Sequence, residues 1–207
     1  NTKYEARIAA GLTSAADGVL KEDYSWSFST YSPALVSVSP EDLTKFASLQ
    51  QKVVLAFNQP MDTVAAEARV KITGPNNTPV AGALSWNADR SVLTFTPSGA
   101  LLFNATYTVD VPEGLPGASG GTTKTGRRTT FQTVGIPAVA RTDPPNGATS
   151  AGRYGVQITF TNPMDPGSFE GKVSISGIDP EKVRADMYGD ELTLYVNAQL
   201  LPSTKYT

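Results

Sequence analysis

Large apolar residues recur at every second position in VVLAF (53–57), in VLTF (92–95) and in TYTVDV (106–111). Successive side chains of a β-strand point to opposite faces, so this period places Val53, Leu55 and Phe57, then Leu93 and Phe95, then Tyr107 and Val109, in rows that face one core. The same alternation, bounded by Gly, Pro, Asn and Asp, predicts strands near Leu35–Val38, Val53–Phe57, Ala68–Thr73, Ala83–Trp86, Val92–Thr96, Thr106–Val111 and Arg128–Thr133. Val70, Ile72, Leu84, Trp86 and Phe131 complete the inward set. Short strands at this density over about 100 residues form an immunoglobulin-like sandwich of two packed sheets, with about seven strands and little helix. The 18 glycines and 15 prolines supply the turns between them.

The pattern occurs more than once. FNQPMD at 57–62 returns as FTNPMD at 160–165, a separation of 103, and at the same shift Tyr4, Gly11, Leu12, Phe28 and Thr30 match Tyr107, Gly114, Leu115, Phe131 and Thr133. After a four-residue deletion the shift becomes 99, where SVLTFTP matches DELTLYV and LFNATYT matches LPSTKYT. Self-similarity at a fixed period signals tandem modules. The expected organisation is therefore all-β, with residues 1–31 the C-terminal strands of a first repeat, 32–134 a complete repeat and 135–207 the N-terminal part of a third. Both ends of the chain fall at one phase of the repeat and residue 1 is Asn, so a longer parent chain is expected, with adjacent domains of that chain as partners.

In the repeated hexamer, Pro60 and Pro163 lack an N–H and end their strands. Met61 and Met164 are flexible apolar side chains suited to plugging the corner where the chain leaves a sheet. Asp62 and Asp165 can cap the following backbone N–H groups, and Pro166 suits a first helical position. The competing assignment of these residues, a Met/Asp metal site or a catalytic Asp, lacks a second acid at useful spacing and pairs a soft thioether with a hard oxygen. They are expected to be structural, with no catalytic, cofactor or metal residues among them.

Composition narrows the chemistry further. The chain has no Cys and no His, which removes disulfides, thiolate and imidazole metal sites, and Ser/His/Asp or Cys/His catalysis. Carboxylate-pair hydrolysis survives on composition, yet nothing brings a particular pair of acids together. The net charge of −2 is spread along the chain, with Arg127 and Arg128 the one basic doublet, so no nucleic-acid footprint exists. No apolar run approaches the roughly 18 residues of a membrane span.

Other conspicuous stretches are turns before they are sites. Asp17-Gly18 and Asp89 to Ser91 lack the spacing of a calcium loop. DPPNG at 143–147 is turn chemistry, and Ser119-Gly120-Gly121 is too short for a phosphate cradle. Tyr24, Trp26 and Phe28 alternate on one face of a strand. An inward aromatic row is the expected role, with a sugar-stacking platform as the alternative.

The sequence strand-[NT]-x-P-M-D, then L-T-F-x-P, L-x-x-x-T-x-Y-T, G-L and a terminal W-x-F-x-T resembles the bacterial Ig-like repeat of surface-layer proteins, a repeat also found in tandem in bacterial alpha-2-macroglobulin-like proteins. The resemblance covers essentially the whole chain. Leu192 to Val196 departs from it by lacking the proline, and Arg127 to Thr129 replaces the aromatic end of the last strand. It implies a non-catalytic stalk or spacer of secreted or cell-surface location. The alternatives it leaves are a ligand-binding or adhesion module and the N-terminal repeat region of a macroglobulin-like protease inhibitor. A thioester of that family needs a Cys, so protease trapping cannot reside in these residues. Because the first and third repeats are partial, their open strand edges predict self-association by strand exchange.

Overall fold

The apolar rows predicted from the sequence lie on strands, and where two sheets are present the rows meet between them. The computed structural model describes residues 2–149, 155–197, 200–201 and 204–207. At the start of the chain β1 (Lys3–Ile8) and β2 (Tyr24–Ser29) form an antiparallel hairpin in which Tyr4 lies opposite Phe28. The central repeat contains β3 (Leu35–Ser39), β4 (Thr44–Ala47), β5 (Val53–Phe57), α1 (Thr63–Arg69), β6 (Lys71–Thr73), β7 (Gly82–Trp86), β8 (Val92–Pro97), β9 (Thr106–Val111) and β10 (Arg127–Thr133). The last repeat contains β11 (Val139–Asp143), β12 (Val156–Phe160), β13 (Val183–Tyr188) and β14 (Glu191–Val196).

In the central repeat one sheet has the order β3-β5-β8-β7 and the other β4-β10-β9-β6. This is the strand arrangement of a constant-type immunoglobulin sandwich, with the opening strand divided between the two sheets. Val53, Leu55, Leu93, Phe95, Tyr107, Val109 and Phe131 are buried, as the alternation predicts, while Leu84 and Trp86 are half-buried. Full burial of each large apolar side chain is worth about 1.5–3 kcal/mol, so these rows drive closure of the two sheets. Tyr107 and Phe131 stack at 5.3 Å between ring centroids. The hydroxyl of Thr133 donates to the carbonyl of Leu102 at 2.6 Å and accepts from the N–H of Ala105 at 3.0 Å, so a buried polar group at the end of β10 is satisfied.

Two local predictions need correction. The segment Ala68–Thr73 is a strand only from Lys71. The alanine-rich TVAAEAR before it forms α1, because Asp62 accepts the Ala65 N–H at 3.1 Å as N-cap and alanine has the highest helix propensity. Arg69 then ends the helix by donating to the carbonyls of Glu113 and Gly114, each at 2.7 Å. The four-residue β4 is the second difference: it follows left-handed Leu43 and contains left-handed Phe46, which breaks the alternation that marks longer strands.

The last repeat shows the order β11-β12-β14-β13, matching the β3-β5-β8-β7 sheet of the central one. Ile175, Leu192 and Leu194 are its buried centre, with Val156, Ile158 and Phe160 partly buried around them. Part of the four-residue deletion falls in the β13–β14 turn. Met187 pairs with Leu192 across residues 188–191, whereas Trp86 pairs with Leu93 across residues 87–92. Gly189, at φ +63°, makes the tighter turn possible.

Met61 is fully buried at the corner after β5. Replacing it by Ala removes packing from a closed core, and Met61→Ala should lower unfolding stability by about 2–5 kcal/mol in urea titrations. An unchanged midpoint and slope would show that the side chain fills no structural space. A second expectation concerns Asp42, whose carboxylate accepts the Thr130 N–H at 2.7 Å and hydroxyl at 3.2 Å, holding the chain before β4 to β10. The Thr130 amide, aided by its hydroxyl and the Leu43 N–H, keeps the Asp42 carboxyl below its ordinary range. A carboxylate lowered in the folded state contributes stability above its unfolded pKa and loses that contribution as pH falls through the folded value. Asp42→Ala should therefore be less stable at neutral pH, with a shallower loss of melting temperature on acidification. Parallel acid limbs for the two proteins would remove Asp42 from the pH response.

Candidate functional site

Each copy of the hexamer follows a strand end, at Phe57 in β5 and at Phe160 in β12. Pro60 is exposed, and its carbonyl accepts the Ala118 N–H at 2.9 Å. The Met61 N–H donates to the Arg90 carbonyl at 2.8 Å, and the Asp62 N–H donates to the Pro116 carbonyl at 3.0 Å. The corner is thereby tied on one side to the β7–β8 turn and on the other to the loop between β9 and β10. In the last repeat Pro163 is exposed and Met164 half-buried, and the Met164 N–H donates to the Gly189 carbonyl at 3.0 Å. Asp165 accepts from the Gly167 N–H at 3.0 Å, but the segment after it is a turn instead of the expected helix beginning at Pro166. Gly167 and Gly171 stand where the first copy has Val64 and Ala68, and each glycine costs a helix up to about 1 kcal/mol relative to alanine.

The hexamer's variable [NT] position carries an interaction that the sequence alone does not assign. Asn58 accepts the Ala34 N–H at 2.9 Å and donates from its amide nitrogen to the Ser32 carbonyl at 3.0 Å, so one side chain spans Pro33. Pro33 itself is fully buried, and a Cβ on Gly117 would stand 2.8 Å from its ring. Thr161 takes the same place in the last repeat: its hydroxyl accepts the Ala138 N–H at 3.0 Å and lies 3.5 Å from the Ile136 carbonyl, on either side of Pro137. The neighbouring Asn162, buried, donates to the Gly135 carbonyl at 2.8 Å. Asn and Thr both carry a hydrogen-bond acceptor and a donor at this reach, which is what a clamp on both sides of a proline-containing connection requires. The pairing was illegible in the sequence because the linker and the strand end are 24 residues apart for Asn58.

Among the described residues no group of three or more His, Cys, Asp or Glu could hold a metal. Asp62 and Asp165 make the backbone bonds given above. Asp17 is a left-handed turn residue, with the Gly18 N–H bonded to Ser14 at 3.0 Å. At the turn containing Asp89, Asn87 accepts the N–H groups of Ser91 and Val92 at 2.8 and 3.0 Å. At DPPNG the Ala148 N–H donates to the Pro145 carbonyl at 3.0 Å, and Gly120 and Gly121 both have positive φ in their loop. An open groove of about 420 Å³ that the sequence did not reveal lies along β3 and the start of β10, lined by Val36, Glu41, Asp42, Arg127 and Arg128. Its charges are of both signs, and Asp42 is bonded to Thr130.

Tyr24, Trp26 and Phe28 depart from the expected inward row. All three are exposed, and among the described residues β2 pairs only with β1. Tyr4 stacks on Phe28 at 5.5 Å and an interplanar angle of 20°.

Comparison with known proteins places this architecture. The sequence profile described as "Bacterial Ig-like domain" matches residues 31–133 and 135–207. No curated protein matches the sequence. Similar solved structures include PcoC, a methionine-rich copper resistance protein from Escherichia coli, at 21% identity and TM-score 0.40, over 50% of this chain and 99% of that one. Domains 1–6 of surface layer protein SbsC share 23% identity at TM-score 0.38, over 53% of this chain and 15% of that one. The native conformation of E. coli alpha-2-macroglobulin shares 15% identity at TM-score 0.40, over 69% of this chain and 9% of that one. Because both matched segments carry the repeated corner and together span most of the sequence, the chain belongs to the bacterial Ig-like domain family.

Proposed function

We propose that this chain is a non-catalytic spacer: a run of Ig-like repeats that sets distance and orientation within a secreted or cell-surface bacterial protein. The observation that carries this reading is the clamp made twice across a proline connection, by Asn58 at Pro33 and by Thr161 at Pro137. A spacer works only if its joints are stiff relative to its modules. Proline restricts φ at each joint, and the side-chain bonds on both sides restrict the flanking peptide groups. The conspicuous residues of the repeat are then spent on holding corners and connections together.

The clamp gives this proposal its test. The chain has no Cys, so Lys124→Cys and Lys182→Cys attach spin labels at two sites only, on either side of the 135–138 connection. A single narrow distance distribution is expected, broadened when Thr161→Val and Asn162→Ala are added. Equal widths would eliminate the clamp as the source of stiffness, and a broad distribution in the parent chain would eliminate the spacer role. Asn58→Ala, which loses two bonds at the other connection, should cost about 1–3 kcal/mol of stability. Surface placement is tested separately: protease shaving of intact cells should release the repeats, whereas complete protection would place them elsewhere.

A further inference from the structure

The groove between β3 and the start of β10 exists because β4 begins too late to cover its neighbour. β10 starts at Arg127, whereas the bonds from the β4 side start with the Leu43 N–H, which donates to the Thr130 carbonyl at 2.8 Å. A parallel neighbour would next offer the Glu41 carbonyl to the Thr130 N–H. That carbonyl is instead turned into its own bend, where it accepts the Thr44 N–H at 3.2 Å and the Thr44 hydroxyl at 2.7 Å. The Asp42 carboxylate takes its place at Thr130, and the ladder stops there.

Backbone groups two residues apart along a strand point to the same edge, so Arg128 directs its N–H and carbonyl where Thr130 does. Among the described residues no strand lies there, since β4 starts at Thr44 and runs beside the later half of β10. The side chains around the gap are equally uncommitted. Arg127 and Arg128 are exposed, and the ion pairs among the described residues join Arg7 to Asp23 and Arg184 to Asp186. Asp42 is held by Thr130, which leaves Glu41 as the groove's free carboxylate against two guanidiniums. On the facing wall Val36 is 59% exposed.

We propose that this groove takes an extended acidic peptide segment of another protein, laid along the start of β10 as a short added strand. Main-chain bonds to Arg128 give such a segment its place, and side chains at alternate positions give it selectivity. An acidic residue on the Arg128 face meets the guanidiniums, which bind carboxylates through paired N–H groups. The residues on either side of it turn to the opposite face, toward Val36, and are apolar. A free anion would satisfy the guanidiniums and leave the strand edge open, whereas a neutral or basic peptide would fill the edge and leave the guanidiniums unmatched. The inference is independent of the spacer reading: a spacer with this groove holds a second protein at a fixed point along its length.

The probe is a fluorescein-labelled heptapeptide, Ser-Thr-Val-Asp-Val-Thr-Ser, titrated with the full chain and compared with versions carrying Asn or Arg at its centre. Anisotropy should saturate with the Asp peptide and weaken about tenfold or more with Asn, the weight of a charge-assisted bond. Arg127→Ala combined with Arg128→Ala should weaken the Asp peptide to a similar degree while leaving the unfolding transition unchanged. N-methylation of the peptide backbone on either side of the Asp should abolish binding, because it removes the donors of the added strand. Hydrogen exchange reads the edge itself: in the free chain the Arg128 amide should exchange fast while that of Thr130 is protected, and bound Asp peptide should slow it. The proposal is overturned by an absence of saturation at millimolar peptide, by equal affinity for the Asp and Arg peptides, by unchanged binding to the double variant, or by an Arg128 amide already protected in the free chain. Binding that survives N-methylation and is fully displaced by inorganic phosphate would also overturn it, reducing the groove to an anion-binding surface.

Discussion

Everything in this fold depends on one constraint: a sheet with one apolar face cannot stand in water and must close on another. In the central repeat two four-stranded sheets meet that demand, and Val53, Leu55, Leu93, Tyr107, Val109 and Phe131 disappear from solvent between them. The corner residues serve the same closure. Met61 fills the end of the core, Asp62 starts the helix that carries the chain between sheets, and Arg69 fastens the far end of that helix to the loop between β9 and β10. In the last repeat the equivalent side chains of β12 are half-buried.

Most of the sandwich was legible in the alternation of residues, because strands with one buried face write their period directly into the sequence. β5, β8, β9 and β10 carry Val53, Leu93, Val109 and Phe131 as expected. The misses have physical causes. Around Ala68 a capped, alanine-rich segment overrode the strand pattern, and β4 was hidden by the left-handed residues Leu43 and Phe46. The aromatic row of Tyr24, Trp26 and Phe28 was correctly placed on one face, but alternation reports which face is apolar and not whether anything lies against it. The linker clamps were invisible for another reason. Asn58 and Thr161 are chemically different residues bonding to backbone groups far along the chain, and backbone partners leave no signature in side-chain pattern.

The repeated hexamer was the most informative feature of the sequence, and the structure divides its residues between two tasks. Proline, methionine and aspartate shape the corner, in a form that tolerates loss of the helix when glycines replace Val64 and Ala68. The Asn or Thr ahead of them faces the connection to the preceding repeat. A module with this division can be duplicated in line, since each copy brings both its own corner and the grip on the link that precedes it.

The direction of β4 carries one further consequence. Leu43 bonds to Thr130 and Ala47 to Val134, so β4 and β10 run parallel, while the chain enters the repeat ahead of β4 and leaves it after β10. A pull on the two ends therefore drags these neighbours in opposite directions along their lengths. Their bonds, together with that of Asp42 to Thr130, are loaded in shear and share the force, where an antiparallel pair pulled from one end would unzip bond by bond.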